Sequence, residues 1–513
     1  MNNIKKFFAN GLLLTLSALI MRSISVKFGA YVAAEAGTEA MGLFGLIMSV
    51  FGFALTIATS GVNLAVTRMV SEAIAQNDFG LARMSLKKCI KYCFFCSVLA
   101  GSLLFILARP IGDAVLKDSR TVMPLKILAL SLPFISVSSA LGGYFTAVRR
   151  VYKNTLWQVS EQFIKMYFTV KFFILFIHRG IEYACIALVA ADAISELSAF
   201  LFSAVLWFFD QKKHIPRSVT SVSGAQTEKK LYSIALPVAL STYIRSGLLT
   251  IEHILIPRGL MKSGLSKSDA LSSYGILHSM VMPVLLFPTA VISSFSGLLI
   301  PELSDAAVKN EKARVQSIVA HAFRACLIFS FGVAGIFLCF SDELGILIYD
   351  SSEAGHFMRL LAPLIPVMYL DGVTDAMLKG LGEQVYSMNV NIIDALMSIL
   401  FVVLLLPGCG INGYVITIYI TELVNASLSI ARLLKVTGLK THAFRWLFLP
   451  LLSVLGAVSA GRAAFQLIPL VFPLREQLII FGFAVTCLYL LLARITRVYD
   501  KNDLKRIKSV FRS

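Results

Sequence analysis

Fourteen apolar stretches run through the 513-residue chain, at 8–30, 41–66, 90–112, 123–148, 157–178, 182–209, 231–256, 274–299, 316–340, 358–381, 387–407, 412–435, 443–467 and 477–497. A helix needs roughly 20 apolar residues to cross ~30 Å of hydrocarbon, and each stretch meets that length. In lipid every backbone N–H and C=O must find its partner inside the protein, so these stretches read as helices. Length alone would suggest three or four soluble domains. Composition excludes them, because only 15% of residues are charged where soluble domains carry about 25%. The fold class expected is an all-α polytopic membrane protein of about fourteen transmembrane helices. The first stretch does not read as a cleaved signal peptide, since Arg22 and Lys27 interrupt it and thirteen spans follow.

The formal charge of +18 comes from 47 Lys+Arg against 29 Asp+Glu. No soluble module presents a basic face, so nucleic acid is not an expected partner; the lipid bilayer is. With the N-terminus in the cytoplasm, thirty Lys/Arg fall in cytoplasmic segments and the adjoining ends of spans. The outer loops hold seven: Lys117, Arg120, Arg179, Arg258, Lys262, Lys267 and Arg475. That asymmetry predicts a multi-pass protein of the cell membrane with both termini cytoplasmic. The loop Ser341–Phe357 has Asp342, Glu343, Asp350 and Glu353 but no Lys or Arg, as an outer loop can. The basic tail Arg494–Ser513 reads as a solvated topogenic segment, with contact to anionic lipid as the alternative. Asp210–Lys230, with Pro216, Gly224 and several serines, reads as a linker. The eight cysteines fall mostly in apolar runs. Cys89, Cys93 and Cys96 share a rough helical face, but no second ligand cluster lies near, so packing is expected and no metal site. The chain has no HExxH, Walker sequence or nucleophile elbow, so it reads as a transporter rather than an enzyme, with no catalytic residues.

Two stretches recur at one offset. Val70-Ser71-Glu72-Ala73 with Asn77-Asp78 returns 233 residues later as Leu303-Ser304-Asp305-Ala306 with Asn310-Glu311. Leu128-Ala129 with Pro133 returns at the same distance as Leu361-Ala362 with Pro366, and Val151-Tyr152 returns as Val385-Tyr386 with one residue inserted. Each pair falls at equivalent places among the spans. The repeat holds six spans, an even number, so both copies point the same way across the membrane. The expectation is two six-helix lobes related by a pseudo-two-fold axis along the membrane normal, with a cavity between them and alternating access by rocking. The lobes are expected at 1–215 and 231–440, joined by a cytoplasmic linker at 216–230. Residues 441–513 add two C-terminal spans and the tail.

The chain also resembles a known family: the stage V sporulation protein B (SpoVB)/YtgP branch of the MOP (multidrug/oligosaccharidyl-lipid/polysaccharide) exporter superfamily. That branch is related to the MurJ lipid II flippases and more distantly to MATE transporters. The segments that carry the likeness are Ala40–Phe44, Ser60-Gly61 through Glu72, Gly143-Tyr144-Phe145 through Ser160-Glu161-Gln162, Tyr274–Leu277, Pro288, Leu299–Ser304 and Gly380-Leu381-Gly382. The resemblance implies fourteen helices in two lobes and transport of a polyprenyl-diphosphate-linked saccharide such as a peptidoglycan precursor. The family often has Asp where Glu252 stands here, followed by His253; the longer side chain would shift any ion it holds.

A charge at the bilayer centre costs ~2.5–3.5 kcal/mol on insertion scales, so each needs a partner, water or a function. Candidate substrate-binding residues are Arg22, Lys27, Glu161, Gln162, Lys165 and Arg245. Arg22 and Lys27 lie about 140° apart around a helix and share one stripe only if the helix bends. Arg22 is the expected cavity residue, because its planar fork suits a diphosphate; snorkelling or pairing with a neighbour is the alternative. Glu161 and Lys165, spaced i, i+4, either pair with each other or, as part of the family-like stretch with Gln162, touch substrate. Asp192 and Glu196 form one acidic stripe on the sixth span, and Arg245 shares a face with Glu252 on the seventh. Glu252, Asn391, Asp394 and Glu422 are candidates for a coupling-ion site taking Na⁺ or H⁺, against the alternative that they cap polar water pockets.

The expected activity is therefore outward flipping of a lipid-linked saccharide for cell-wall or spore-cortex synthesis, by a monomer with no cofactor beyond a coupling ion. The rivals are a MATE-type drug/cation antiporter, against which Arg22, Lys165 and Arg245 argue, and a non-transporting scaffold for envelope synthesis.

Overall fold

The computed structural model describes residues 2–214, 223–439, 444–467 and 473–496, and among them every regular element is helical. In chain order these are α1 (Asn2–Ala36), α2 (Thr38–Thr59), α3 (Val62–Ala75), α4 (Phe79–Pro110), α5 (Val122–Ala147), α6 (Val151–Phe176), α7 (Ile181–His214), α8 (Gly224–Lys262) and α9 (Lys267–Tyr274). There follow α10 (Met282–Leu286), α11 (Thr289–Val308), α12 (Lys312–Tyr349), α13 (Ser352–Leu361), α14 (Ile365–Gly380), α15 (Gln384–Thr437), α16 (Leu449–Leu467) and α17 (Leu474–Ile495).

Ten of the described helical segments are long and apolar enough to cross a membrane. The difference from the expected fourteen has local causes. The spans expected at 387–407 and 412–435 share the 54-residue α15, which breaks where Gly410 adopts φ 57°, ψ −140°, a conformation open only to glycine. The span at 157–178 is α6, too rich in charge to count. The span at 274–299 is split into α9, a π-helical segment at Gly275–Val281, α10 and α11. In α1 the side chains of residues 1–18 fall outside the described set. The expected linker at 216–230 is helical from Gly224 onward, its earlier part lying outside the described residues, as does the tail beyond Thr496.

The chain divides into two compact units. The first comprises Glu35–Met261 with Leu265–Gly275, the second Met1–Ala34 with Lys262–Gly264 and Ile276–Ser513. This division differs from lobes cut in chain order. Most of α1 belongs with the second half of the chain, and nearly all of α8 with the first.

In the first unit, Val66, Met69, Cys89, Cys93, Tyr144 and Phe145 share one buried cluster, so two of the three closely spaced cysteines are packing residues. Helix α8 follows α2: the Thr250 hydroxyl donates to Ser49 O at 3.0 Å and Thr56 to Ser246 Oγ at 3.1 Å. Helix α9 approaches α2 more closely still. A Cβ on Gly42 would lie 1.9 Å from the Leu271 carbonyl oxygen, and one on Gly275 would lie 2.5 Å from Thr38 O. At the expected outer end, Arg120 bridges Asp118 at 2.7 Å and Glu39 at 2.9 Å, and Lys267 reaches Asp118 at 3.1 Å. In the second unit α12 packs on α13, α14, α16 and α17. There Tyr489 OH donates to Ile328 O at 3.0 Å, and Arg462 pairs with Glu343 at 2.6 Å.

The internal repeat is visible as backbone geometry. Asn77 and Asn310 both adopt φ 56°, each in a turn that ends a helix with the same hydrogen bonds: Asp78 N to Ala73 O at 3.0 Å, and Glu311 N to Ala306 O at 2.9 Å. Two further turns recur at the same offset. Lys117 at φ 54° matches Asp350 at φ 50°, and Arg149 at φ 59° matches Gly382 at φ 82°. Arg150 N donates to Phe145 O as Glu383 N does to Leu378 O, at 2.8 and 2.9 Å.

Two outcomes follow from this packing. Gly42→Val places methyl groups where the α9 backbone passes, and overpacking of this kind costs about 1–3 kcal/mol or more; thermal unfolding in detergent should begin at lower temperature than for Ser49→Ala, and equal midpoints would refute the close approach. Burial by itself would push the Asp118 carboxyl up, but its hydrogen bonds with Arg120 and Lys267 hold it below the ordinary carboxylate value. Its contribution to stability is thus complete above the ordinary carboxylate range and is lost as pH falls through the depressed value. The acid-side loss of thermal stability should start at higher pH in wild type than in Asp118→Asn referenced to its own neutral-pH midpoint, and superimposable pH profiles would contradict it.

Candidate functional site

Helices α6 and α7 are antiparallel, joined by the short turn Ile177–Gly180, and they place the densest set of in-span charges in the first unit. On α6, Trp157, Glu161, Lys165 and Thr169 recur at intervals of four and form one stripe. On α7, Asp192 and Glu196 do the same. Lys165 forms an ion pair with Asp192 across the helix pair, not with Glu161 one turn away. A lysine on a lipid-spanning helix does better against a carboxylate on a packed neighbour, where both charges leave the lipid together, than along its own helix surface. Two antiparallel helices in that register bring Glu161, one turn back on α6, level with Glu196, one turn on along α7. Glu161, Asp192, Glu196 and Lys165 all lie within electrostatic reach of one another. Gln162, next to the stripe, is partly buried. The sequence signalled Asp192 and Glu196 only as an i, i+4 pair; what joins them to Lys165 is the length of the hairpin.

The other cationic candidates are placed differently. Arg22 on α1 donates through Nη1 to Leu286 O at 2.7 Å, Thr289 Oγ1 at 2.7 Å and Phe287 O at 3.4 Å, within the second unit. These acceptors sit where α10 ends and α11 begins, around Phe287-Pro288. Among the described residues only Nη1 of the Arg22 guanidinium is engaged, and the residue is exposed. Lys27 is exposed on the same helix. Arg245 is exposed on α8, in the first unit. The six candidates are therefore not one cluster within a unit: Glu161, Gln162 and Lys165 share α6, Arg245 lies on another helix of that unit, and Arg22 and Lys27 belong to the other unit.

The coupling-ion candidates also divide. Asn391, Asp394 and Glu422 belong to the second unit and Glu252 to the first. On α14 and α15, Glu422 is within electrostatic reach of Asp371 and Asp394. Asn425 Nδ2 donates to Asp371 Oδ2 at 3.2 Å, and Asn391 Nδ2 donates to Ser387 O at 2.8 Å. Asp371 and Asn425, legible in the sequence as in-span polar residues of the same lobe though not among the four ion-site candidates, thus belong to this acidic group. Asp375 is taken by Lys379 at 2.5 Å and by the Ser387 hydroxyl. Glu252 is buried on α8 near Tyr274, whose OH lies 3.3 Å from His253 Nδ1. Among the described residues no three His, Cys, Asp or Glu side chains are grouped to hold a metal ion.

Comparison with known proteins supplies the remaining context. The family profile described as polysaccharide biosynthesis protein matches residues 7–307, more than half of the chain, and the MatE profile matches residues 259–404. Stage V sporulation protein B of Bacillus subtilis (strain 168) is 26% identical over 519 residues, covering 99% of each chain. Lipid II flippase MurJ of the same organism is 21% identical over 461 residues, covering 83% of each. A solved structure of lipid II flippase MurJ in an inward closed conformation superposes with a TM-score of 0.70 at 12% identity, covering 95% of this chain and 99% of that one, which establishes a common fold.

Removing Lys165 would leave Asp192 without its partner. Breaking a buried ion pair costs about 3–5 kcal/mol, an upper bound here because Lys165 keeps some exposure. Lys165→Met should lower the unfolding temperature at neutral pH, and Lys165→Met/Asp192→Asn should recover most of it. A double variant no more stable than the single one would show that the pair carries nothing.

Proposed function

The chain belongs to the polysaccharide biosynthesis protein family, and on that premise we propose that it flips a polyprenyl-diphosphate-linked saccharide, of the peptidoglycan-precursor class, from the cytoplasmic to the outer leaflet. It is a multi-pass membrane protein, and its relatives include a lipid II flippase. The sporulation protein among those relatives favours a setting in cell-wall or spore-cortex synthesis.

The observation that carries the proposal is Arg22. A guanidinium on a membrane-spanning helix needs a reason to be there, since it cannot shed its charge. One of its nitrogens is anchored to the α10–α11 break, and the other two have no hydrogen-bond partner among the described residues. A fork held by one tine is suited to a diphosphate, whose oxygens accept parallel charge-assisted hydrogen bonds. The saccharide would otherwise shed its hydration in hydrocarbon, where each unsatisfied polar group costs several kcal/mol. Polar and charged side chains within the spans substitute for that water. The inside-negative potential favours outward movement of an anion by ~2.3 kcal/mol per charge per 100 mV. No covalent step is needed. Both termini are assigned to the cytoplasm, by the placement of Lys and Arg, and the working unit to a monomer cycling by alternating access. A coupling ion, Na⁺ or H⁺, is assigned to the acidic group around Asp394 and Glu422.

The match of residues 259–404 to the MatE profile favours a second reading, a drug/cation antiporter. Cationic cargo fits poorly with Arg22, Lys27, Lys165 and Arg245 in the spans.

Reconstituted in vesicles, the protein should move defined polyprenyl-diphosphate sugars between leaflets faster than protein-free controls. Arg22→Gln should slow that movement about tenfold or more, the value of a charge-assisted hydrogen bond at 1.5–3 kcal/mol. Asp394→Asn should remove the dependence on an imposed Na⁺ or proton gradient. Efflux of cationic amphiphiles with no movement of any diphosphate-linked sugar would overturn the proposal.

A further inference from the structure

At the end of the first unit assigned to the cytoplasm, α4 and α8 run side by side in the same direction. Lys88 on α4 pairs with Glu228 on α8 at 2.6 Å, and one turn on the Tyr92 and Tyr232 rings meet edge to face with centroids 5.7 Å apart. These two contacts fix the register of the helices, and the register fixes where their neighbours point. Successive residues turn by about 100° around a helix. Lys87 and Lys91 each precede a contact residue on α4, and Lys229 follows one on α8. In two parallel helices those offsets carry all three lysines to the same side of the pair. The three are exposed, and none has an ion-pair partner among the described residues. Glu228 and Glu72, the carboxylates on α8 and α3 at this end, are already engaged. Glu228 is held by Lys88, and Glu72 by Arg68 at 3.0 Å and Lys230 at 2.6 Å.

The same side continues as an apolar face. Along α4, Lys91 is followed at intervals of four and seven residues by Phe95 and Val98. Along α8, Lys229 is followed at seven and eleven by Leu236 and Leu240, and all four apolar residues are exposed. On α4 this face ends at the exposed Arg109, eighteen residues beyond Lys91. At 1.5 Å per residue that is about 27 Å, close to the ~30 Å of hydrocarbon. Lys91 therefore lies at the level of the headgroups of one leaflet. The tyrosine pair sits beside it, at the depth where such rings settle in membranes.

Uncompensated cations at headgroup level, continued by an exposed apolar face, match a diacyl lipid whose headgroup carries net negative charge. A zwitterionic headgroup brings its own cation and gains little from three lysines. A soluble phosphate would leave the apolar half uncovered. We propose that Lys87, Lys91 and Lys229 bind the phosphate of an anionic phospholipid of the cytoplasmic leaflet, whose acyl chains lie along Phe95, Val98, Leu236 and Leu240. With cations on both helices, the headgroup ties α8 to α4 beside the Lys88–Glu228 pair. The lipid is a bound partner of the first unit and not its cargo, and the inference rests on the topology assigned above rather than on any particular saccharide.

Native mass spectrometry of the purified full-length protein, with phosphatidylglycerol and phosphatidylcholine added in equal amounts, tests this. Phosphatidylglycerol should be retained in preference to phosphatidylcholine, and Lys87→Gln/Lys91→Gln/Lys229→Gln should lose that preference. Each single Gln variant should weaken phosphatidylglycerol binding about fivefold, the weight of one lysine beside an anionic surface. Lys87→Arg/Lys91→Arg/Lys229→Arg, which keeps the charges, should keep the preference. Lys309→Gln, which removes a cation already paired with Asp305 at 2.8 Å in the other unit, should leave binding unchanged. Inorganic phosphate should not displace the lipid. An unchanged preference in the triple Gln variant would overturn the proposal, and so would an equal loss in Lys309→Gln, which would mean attraction to surface charge in general. Displacement by an equal concentration of a polyprenyl diphosphate, with the same dependence on the three lysines, would make this a cargo surface and overturn it too. Because no flipping is measured, failure here is distinct from failure of the flipping assay.

Discussion

The structure is governed by the price of polarity in lipid. A backbone amide in hydrocarbon must be bonded within the chain, which leaves helices as the spanning element. A charged side chain there must find a counter-charge, a carbonyl or water. Each in-span charge is accordingly informative. Lys165 has gone to Asp192 on the neighbouring helix, and Arg22 to the carbonyl and hydroxyl oxygens at a helix break. Asp210, at the end of α7, gathers Arg150, Lys153 and the Tyr144 hydroxyl.

The repeat shows a second constraint acting on the backbone. Three turns recur at an offset of 233 residues with left-handed φ at each: Asn77 and Asn310, Lys117 and Asp350, Arg149 and Gly382. Left-handed φ is unfavourable for a residue with a Cβ, least so for Asn and Asp. Lysine and arginine hold it at Lys117 and Arg149 only because the closing hydrogen bonds of the flanking helices over-determine the turn. The turn geometry has outlasted the identity of the residues that adopt it.

That difference explains what the sequence could and could not reveal. The Asn77/Asn310 match was legible because the side chain best suited to the conformation stands in both copies. Lys117/Asp350 and Arg149/Gly382 share no side-chain character and were invisible. The membrane class and most of the spans were legible because hydropathy is additive along the chain. The break at Gly410 within α15 was not, because one glycine in an apolar run carries no pattern. Single-helix spacing suggested Glu161 with Lys165; the partner across the hairpin depends on the length of the turn at Ile177–Gly180, which spacing within one helix does not encode. The grouping of most of α1 with the later helices, and of α8 with the earlier ones, is a matter of packing that chain order does not contain.

The two kinds of in-span cation are also placed according to what each can do. Arginine does not lose its proton in a protein, so its partners must be permanent. At the α10–α11 break Ala290 and Val291 N–H turn to acceptors three residues back, at 3.3 and 3.1 Å, and Leu286 O accepts from the Thr289 hydroxyl at 2.5 Å and from Arg22. A broken helix thus supplies fixed neutral dipoles to a fixed charge, at no cost in counter-charge. The α6/α7 pair has no break where its charges lie, so its carbonyls are committed to its own helices and the partners must be side chains. There lysine and carboxylates serve, groups that can gain or lose a proton. A fixed charge beside a helix break can hold an anion throughout a cycle, and a titratable set on unbroken helices can change its charge during one.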